Sequence, residues 1–305
     1  MAASATGNPH TVSEAVASKS LLSSYVELTK PKIMLMVLVT TVLGFALGGG
    51  DGIQPLGLLL WALLGTALAS GGAGVLNHFL ERDADARMDR TRNRPLPLGT
   101  ISPVMAVLFG TGLTIAGCLV LLVWVNALAA GLALASALLY TLIYTPMKRL
   151  SWWNTPIGAI PGALPPMIGW AAATGELGVG AWVLFFILFL WQHPHFYAIA
   201  WMFREDYLRG GFKMLPVVQP DGKNTFRQSL SAAIILIPVS LWPTFVHMTG
   251  WIYFIGALAL GIWFLAVCVQ WRRSESTLDA RRVLRVSVFY LPALLLLILF
   301  DAFFH

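Results

Sequence analysis

The chain has 305 residues, 57% of them hydrophobic and only 11% charged, where a soluble globular protein carries about 25% charged residues. A water-soluble fold of this size cannot hide that much apolar side chain, because surface area limits what a core can bury, so a bilayer is the solvent this composition requires. A net charge of +6 on so few charged residues points to basic loops on one side of a membrane rather than to a nucleic-acid partner.

Residues 1–24 are small and polar, with no apolar stretch of the kind a secretory signal needs and no arginine. They are expected to form a disordered cytoplasmic tail, not a cleaved leader. A membrane-crossing helix needs about 20 mostly apolar residues. Nine segments approach that length: 33–47, 56–80, 103–123, 127–144, 155–173, 181–203, 229–246, 251–269 and 283–303. Only Trp124, Val125 and Asn126 separate the third from the fourth, but one unbroken helix over both would be about twice as long as the bilayer is thick. Residues 25–305 are therefore read as a single all-α, polytopic domain of about nine transmembrane helices. Cys118 and Cys268 fall inside apolar runs and read as small packing residues, not as a disulfide.

Charge orients the bundle. With the N-terminus in the cytoplasm, all 20 Lys and Arg residues fall in the cytoplasmic segments and none in the outer loops. Basic residues concentrate on that side of membrane proteins, which leaves the C-terminus outside. The long loops, and any chemistry they carry, then lie on the cytoplasmic face.

The second segment ends in the densest group of polar residues. Asn77, Glu81, Asp85 and Asp89 recur at every fourth position, which on a continued helix places them along one slowly drifting stripe. Stacked acidic oxygens repel one another unless a cation sits among them. A hard ion such as Mg²⁺ takes oxygen ligands and usually shares them with substrate phosphates. Arg90, Arg92 and Arg94 follow directly, and guanidinium groups are suited to phosphate oxygens. The plain alternative is a solvated loop whose four acids pair with five arginines. Asn77 weighs against it, because it reaches into the apolar part of the helix, where a polar side chain tends to have a task. A transporter is a second alternative, but its pathway charges belong near the bilayer midplane, and here they sit at helix ends.

The pattern Asn77-x-x-x-Glu81-x-x-x-Asp85, followed by Met88-Asp89-Arg90-Thr91-x-Asn93-Arg94-Pro95-Leu96, resembles the first aspartate-rich motif of the UbiA-type intramembrane prenyltransferases. The resemblance implies nine helices and a Mg²⁺-held prenyl diphosphate, with Glu81 standing where the family usually has Asp. Three further stretches are similar to the heme-modifying branch of that family. They are Tyr144-x-x-x-Lys148-Arg149; Asn154-Thr155-x-x-Gly158 with Gly162-Ala163-x-Pro165-Pro166; and Trp191-Gln192-His193-Pro194-His195-Phe196, running on to Arg204-Glu205-Asp206-Tyr207. In quinone-type members a second pair of aspartates stands four apart in the loop after the sixth helix. Here Asp206 is followed at that spacing by Gly210, which speaks against a quinone acceptor.

The implied substrates are farnesyl diphosphate and heme b, with membrane lipid as surroundings and a heme-modifying enzyme or an oxidase under assembly as downstream partner. The implied metal site is Asn77, Glu81, Asp85, Asp89 and Asp206. The implied diphosphate site is Arg90, Arg94, Lys148, Arg149 and Tyr144, and Lys148 joins the metal ligands as a catalytic residue. His195, with His193 beside it, is the candidate heme contact, as an axial iron ligand. The short tail fits a bacterial plasma membrane better than a mitochondrial inner membrane.

Overall fold

The computed structural model describes residues 20–50 and 54–304, and among them there is no strand. Of the tail expected over 1–24, residues 1–19 lie outside the described residues. Residues 21–24 are helical, opening a short helix α1 (Leu21–Leu28) whose N-cap Ser20 accepts from the Ser23 amide at 3.2 Å.

The long helices follow as α2 (Pro31–Gly48), α3 (Leu56–Asp85), α4 (Pro103–Trp124) and α5 (Ala127–Leu138). A π-helical turn (Leu139–Tyr144) and α6 (Thr145–Leu150) continue α5 without a break. After them come α7 (Asn154–Ala163), α8 (Pro165–Thr174), α9 (Val179–Met202), the short α10 (Arg204–Gly210) and α11 (Leu215–Val218), then α12 (Lys223–Phe245), α13 (Trp251–Ser274) and α14 (Thr277–Phe304). Eight of these segments are long and apolar enough to cross a membrane, so the chain is a multi-pass membrane protein.

Two expectations change in detail. The crossing expected over 155–173 is two ten-residue helices, α7 and α8, broken at Leu164. Pro165 and Pro166 cause the break, since proline has no amide to continue the ladder but is well placed in a first helical turn. The second crossing extends to Asp85 rather than stopping at 80, so its acidic residues are helical. The expected split after Trp124 is present, with Asn126 capping α5 through the Ala129 amide at 2.8 Å.

Backbone contact between helices explains many of the glycines. A Cβ on Gly117 would lie 2.4 Å from the Ala69 nitrogen, and one on Gly72 would lie 2.5 Å from the Gly110 carbonyl oxygen, so α3 and α4 touch main chain to main chain. The same holds for α2 and α8, where a Cβ on Gly44 or Gly169 would lie 1.9 Å from the Pro166 or Thr41 oxygen. Lipid supplies no hydrophobic drive between helices, and close packing through small residues replaces it. Gly169→Ala is therefore expected to cost about 1–3 kcal/mol of stability, seen as a lower apparent melting temperature in detergent. An unchanged melting temperature would show that the α2–α8 contact can slide open.

The outer surface is apolar, as a lipid-facing one should be: Leu108, Leu119, Ile255, Ile262 and Leu296 are all more than half exposed. The acidic and basic side chains of α3, α6 and α10 gather at one end of the bundle, called here the basic face.

Candidate active site

The last turns of α3 carry Asn77, Glu81 and Asp85, one helical turn apart and only 0, 5 and 0% exposed. Burial of three such polar groups requires partners, and the segment opposite supplies them. The π-helical turn brings Tyr140, Tyr144 and Lys148 to one side. The Tyr140 and Tyr144 rings lie 5.4 Å apart, and the Lys148 ammonium sits 4.6 Å from the centre of the Tyr144 ring. Such single π turns inside helices often mark functional sites. Gly158 of α7 lets this segment close in, because a Cβ there would lie 2.4 Å from the Tyr144 ring.

The pairings are specific. Lys148 Nζ donates to Glu81 Oε1 at 2.7 Å. Arg94 Nη1 lies 2.9 and 2.8 Å from the two Asp85 oxygens. Asn77 Nδ2 donates to Thr145 Oγ1 at 2.8 Å, and Thr145 donates in turn to the Tyr140 carbonyl at 2.7 Å. That chain fixes the amide so that Asn77 Oδ1 accepts from the Lys30 ammonium, which also donates to Tyr140 Oη at 3.2 Å. Five of the expected site residues are thus brought together with Tyr144 beside them: Asn77, Glu81, Asp85, Arg94 and Lys148.

Asp89 does not continue the stripe. Helix α3 ends at Asp85, whose carbonyl accepts from Thr91 Oγ1 at 3.0 Å. The chain then turns, and the Asp89 side chain is 62% exposed. It meets Asp206 in a second, outer group: the Asp89 amide donates to Asp206 Oδ1 at 3.2 Å, and Arg209 bridges both carboxylates. Burial alone would raise the Asp206 carboxyl, but the Arg209 guanidinium and the Asp89 amide outweigh it and hold it below the usual carboxylate range. Gly210, four residues on, packs against Met88, and a Cβ there would lie 2.9 Å from the Met88 Sδ. Arg90 is turned away from the acids, 4.8 Å from the Phe203 ring centre and 3.3 Å from Tyr207 Oη. Arg149 is exposed and donates to the Leu80 carbonyl at 3.3 Å.

Lys30, Tyr140, Thr145 and Arg209 were not legible as site residues. Lys30 and Arg209 read only as members of the basic loops, although a Lys directly before a Pro that opens the first crossing was a usable signal. Asn154, fully buried, is a supporting residue. It donates to the Ser151 and Lys213 carbonyls at 2.6 and 3.1 Å and so ties the α10–α11 loop to the end of α6. His78 is 3% exposed, and its Nδ1 has no hydrogen-bond partner, lying 4.0 Å from Asp85 Oδ2.

The two histidines of α9 separate. Positions 193 and 195 lie about 200° apart around a helix, so they face nearly opposite sides. His193 continues the stripe of Trp182 and Phe186, which are 44 and 46% exposed, and it donates to its own helix at Phe189 O, 2.7 Å away. His195 faces α14, with Nδ1 2.8 Å from Ser287 Oγ and its ring stacked on Trp191. Ser287 donates to the Leu284 carbonyl at 2.7 Å. It therefore accepts from His195 Nδ1–H, and the Nε2 lone pair is left free of hydrogen, the arrangement that orients a metal-binding imidazole.

The donors of the inner cluster are all oxygens, which suits a hard divalent ion. Among the described residues, no three His, Cys, Asp or Glu side chains are close enough to hold a metal ion by themselves. Asn77, Glu81 and Asp85 would fill only part of the octahedral shell that Mg²⁺ takes, leaving places for water or a substrate oxygen.

Residues 37–292 match the UbiA prenyltransferase family. A protoheme IX farnesyltransferase of Solibacter usitatus is 46% identical over 288 residues, covering 92% of this chain and 99% of the relative. One of Salinibacter ruber is 47% identical over 283 residues, covering 93 and 100%. Among solved structures, a digeranylgeranylglyceryl phosphate synthase superposes with a TM-score of 0.79 at 19% identity, covering 92 and 98% of the two chains. A UbiA homologue of Archaeoglobus fulgidus bound to DMAPP and Mg²⁺ superposes with a TM-score of 0.64 at 16% identity, covering 90 and 99%. The fold, the motif at the end of α3 and full-length relatives agree, and the chain belongs to the UbiA prenyltransferase family.

Proposed function

We propose that the chain transfers a farnesyl group from farnesyl diphosphate to a vinyl group of heme b, with addition of water, giving heme O and diphosphate. The observation that carries prenyl transfer is the buried cluster of Asn77, Glu81 and Asp85 with Lys30, Lys148 and Arg94. The full-length protoheme IX farnesyltransferase relatives support heme and farnesyl as the substrates. The basic face is cytoplasmic, a reading supported by the one-sided distribution of Lys and Arg, and the bacterial relatives support a bacterial plasma membrane.

Asn77, Glu81 and Asp85 would hold Mg²⁺, with Asp89 and Asp206 at the outer edge; the ion would neutralise charge on the departing diphosphate. Arg94 and Lys148 donate to the same group, and their effect grows in a site shielded from water. Tyr144 steadies Lys148 through its ring. The farnesyl C1–O bond breaks, and diphosphate leaves with the electron pair. The heme vinyl group attacks C1, water adds to the resulting cation beside the ring, and one proton is lost. Apolar side chains between the helices keep water from the allylic centre until the vinyl group has reacted.

His195 presents its free Nε2 to the heme iron, whereas His193, on the other side of α9, is a structural residue. His195→Ala is expected to shift the visible spectrum of the heme-loaded protein and to weaken heme binding by tenfold or more, about 1.4 kcal/mol. The same spectrum and affinity as wild type would remove the ligand role. Purified protein given heme b and farnesyl diphosphate, with and without Mg²⁺, tests the whole reading. A heme product gaining one farnesyl group and one water, seen by mass spectrometry, supports it. Turnover on a different acceptor instead would keep prenyl transfer and discard the heme.

A further inference from the structure

A second concentration of bases lies away from the inner cluster, where the starts of α12 and α14 meet the end of α13. Arg272 of α13 reaches over α12 there, 5.7 Å from the Phe226 ring centre. Between Asp221 and Arg285 the chain carries seven Lys and Arg but only three Asp and Glu. Each acid takes one base: Asp221 pairs with Lys223 at 3.8 Å, Glu275 with Arg272 at 3.0 Å, and Asp279 with Arg282 at 2.8 Å. Arg227, Arg273, Arg281 and Arg285 are exposed, and none of them pairs with a carboxylate among the described residues.

Two of these four stand where an unpaired charge is costly. Arg281 and Arg285 are one turn apart on the face of α14 that begins at Leu278 and continues through Val288, Phe289 and Leu296. Those four apolar side chains are each more than half exposed, as lipid-facing ones are. Helix α14 has 28 residues, about 42 Å of helix, against a hydrocarbon layer about 30 Å thick. About 6 Å of it therefore lies among headgroups at each end. Arg285 is about 12 Å along the axis from Thr277, so its backbone lies below the headgroups, at the edge of the hydrocarbon. A lipid-facing charge rooted at that depth needs an opposite charge, and two like charges one turn apart also repel. The arginine stem can carry the guanidinium back toward the surface. The anionic oxygens at that level belong to lipid phosphates, which the guanidinium fork matches.

We propose that Arg281 and Arg285 bind the phosphate of an anionic phospholipid, with Arg227 and Arg273 supplying the surrounding positive field. A zwitterionic headgroup brings its own ammonium group, which unpaired arginines repel. A headgroup of net negative charge has no such penalty. Val288 and Phe289, one turn deeper, meet the start of its acyl chains. Interfacial arginines of this kind set the tilt and rotation of a helix. The turn anchored here also orients His195, because Ser287 follows Arg285 by two residues and lies 2.8 Å from the His195 Nδ1.

The test is native mass spectrometry of the full chain released from nanodiscs of equal phosphatidylglycerol and phosphatidylcholine with matched acyl chains. Wild type should retain phosphatidylglycerol over phosphatidylcholine by about fivefold or more. Arg281→Gln combined with Arg285→Gln should bring that preference below about twofold. Lys223→Gln combined with Arg272→Gln removes the same charge from the same end of the bundle but spares the unpaired arginines, and should keep the preference. Equal retention of the two lipids by wild type would overturn the proposal, whether or not the variants fold. So would an undiminished preference in the first double variant, or an equal loss in both, which would reduce the effect to net charge. Millimolar inorganic phosphate should leave the lipid in place; displacement would assign the arginines to a soluble phosphate instead.

Discussion

Asp85→Asn should slow farnesyl transfer by about 10²–10³-fold, the loss typical when one preorganised electrostatic contact to the reacting group is removed, while leaving the protein folded. Asp85 is fully buried, and both its oxygens face Arg94. Asparagine keeps the volume and one carbonyl oxygen, so the change is in charge and not in packing. It weakens the metal site and also leaves Arg94 without its counter-ion, so the guanidinium no longer waits in position for a diphosphate. Asp89→Asn, four residues on, supplies the contrast. Its side chain is 62% exposed and bonded only to the outer arginines, and its substitution should cost less than about threefold, within the range of exposed ion pairs. Initial rates at saturating heme, read by chromatography of the heme products, measure both. An Asp85→Asn rate within threefold of wild type would place the reacting diphosphate somewhere other than the end of α3.

Much of this architecture was legible because lipid makes the rules strict. A chain that must satisfy its backbone internally is helical, and an uninterrupted apolar run of the right length has few other fates. The spacing of Asn77, Glu81 and Asp85 was legible because a helix has one period. What the sequence withheld was where the period stops. Nothing local to Asp85 announces that its carbonyl will take the Thr91 hydroxyl and end the helix, which is why Asp89 read as a fourth member of the stripe. The break between α7 and α8 has its signal in Pro165 and Pro166, within a run apolar enough to read as one segment. Lys30 and Tyr140 were hidden for a different reason. Lys30 enters from the residue that precedes α2, and Tyr140 from the π-helical turn, where a shift from the ordinary helical ladder moves side chains around the axis in a way no periodicity reveals. His193 and His195 looked like a pair in sequence, yet a spacing of two on a helix separates side chains rather than joining them.

The Glu81–Lys148 pair should show opposite behaviour in stability and in activity, and that separates a structural salt bridge from a working one. The two groups meet at 2.7 Å, with side chains 6 and 13% exposed. Removing one partner of a buried pair strands the other charge and costs about 3–5 kcal/mol, whereas replacing both by neutral groups of similar size is often close to neutral. Glu81→Gln and Lys148→Met should each lower the apparent melting temperature clearly, and the double variant should recover most of the loss. A purely structural pair would recover turnover along with stability. If Glu81 is a metal ligand and Lys148 a diphosphate donor, the double variant has lost two groups that touch the reacting phosphate, and its rate should be no higher than that of the slower single variant. Contributions of groups that act as one unit do not add, so the double need not be much slower either. Recovery of both properties together would reduce the pair to packing and leave Asp85 and Arg94 to carry the chemistry. Recovery of stability alone would identify Glu81 and Lys148 as two halves of one site that hold each other's charge until the substrate claims both.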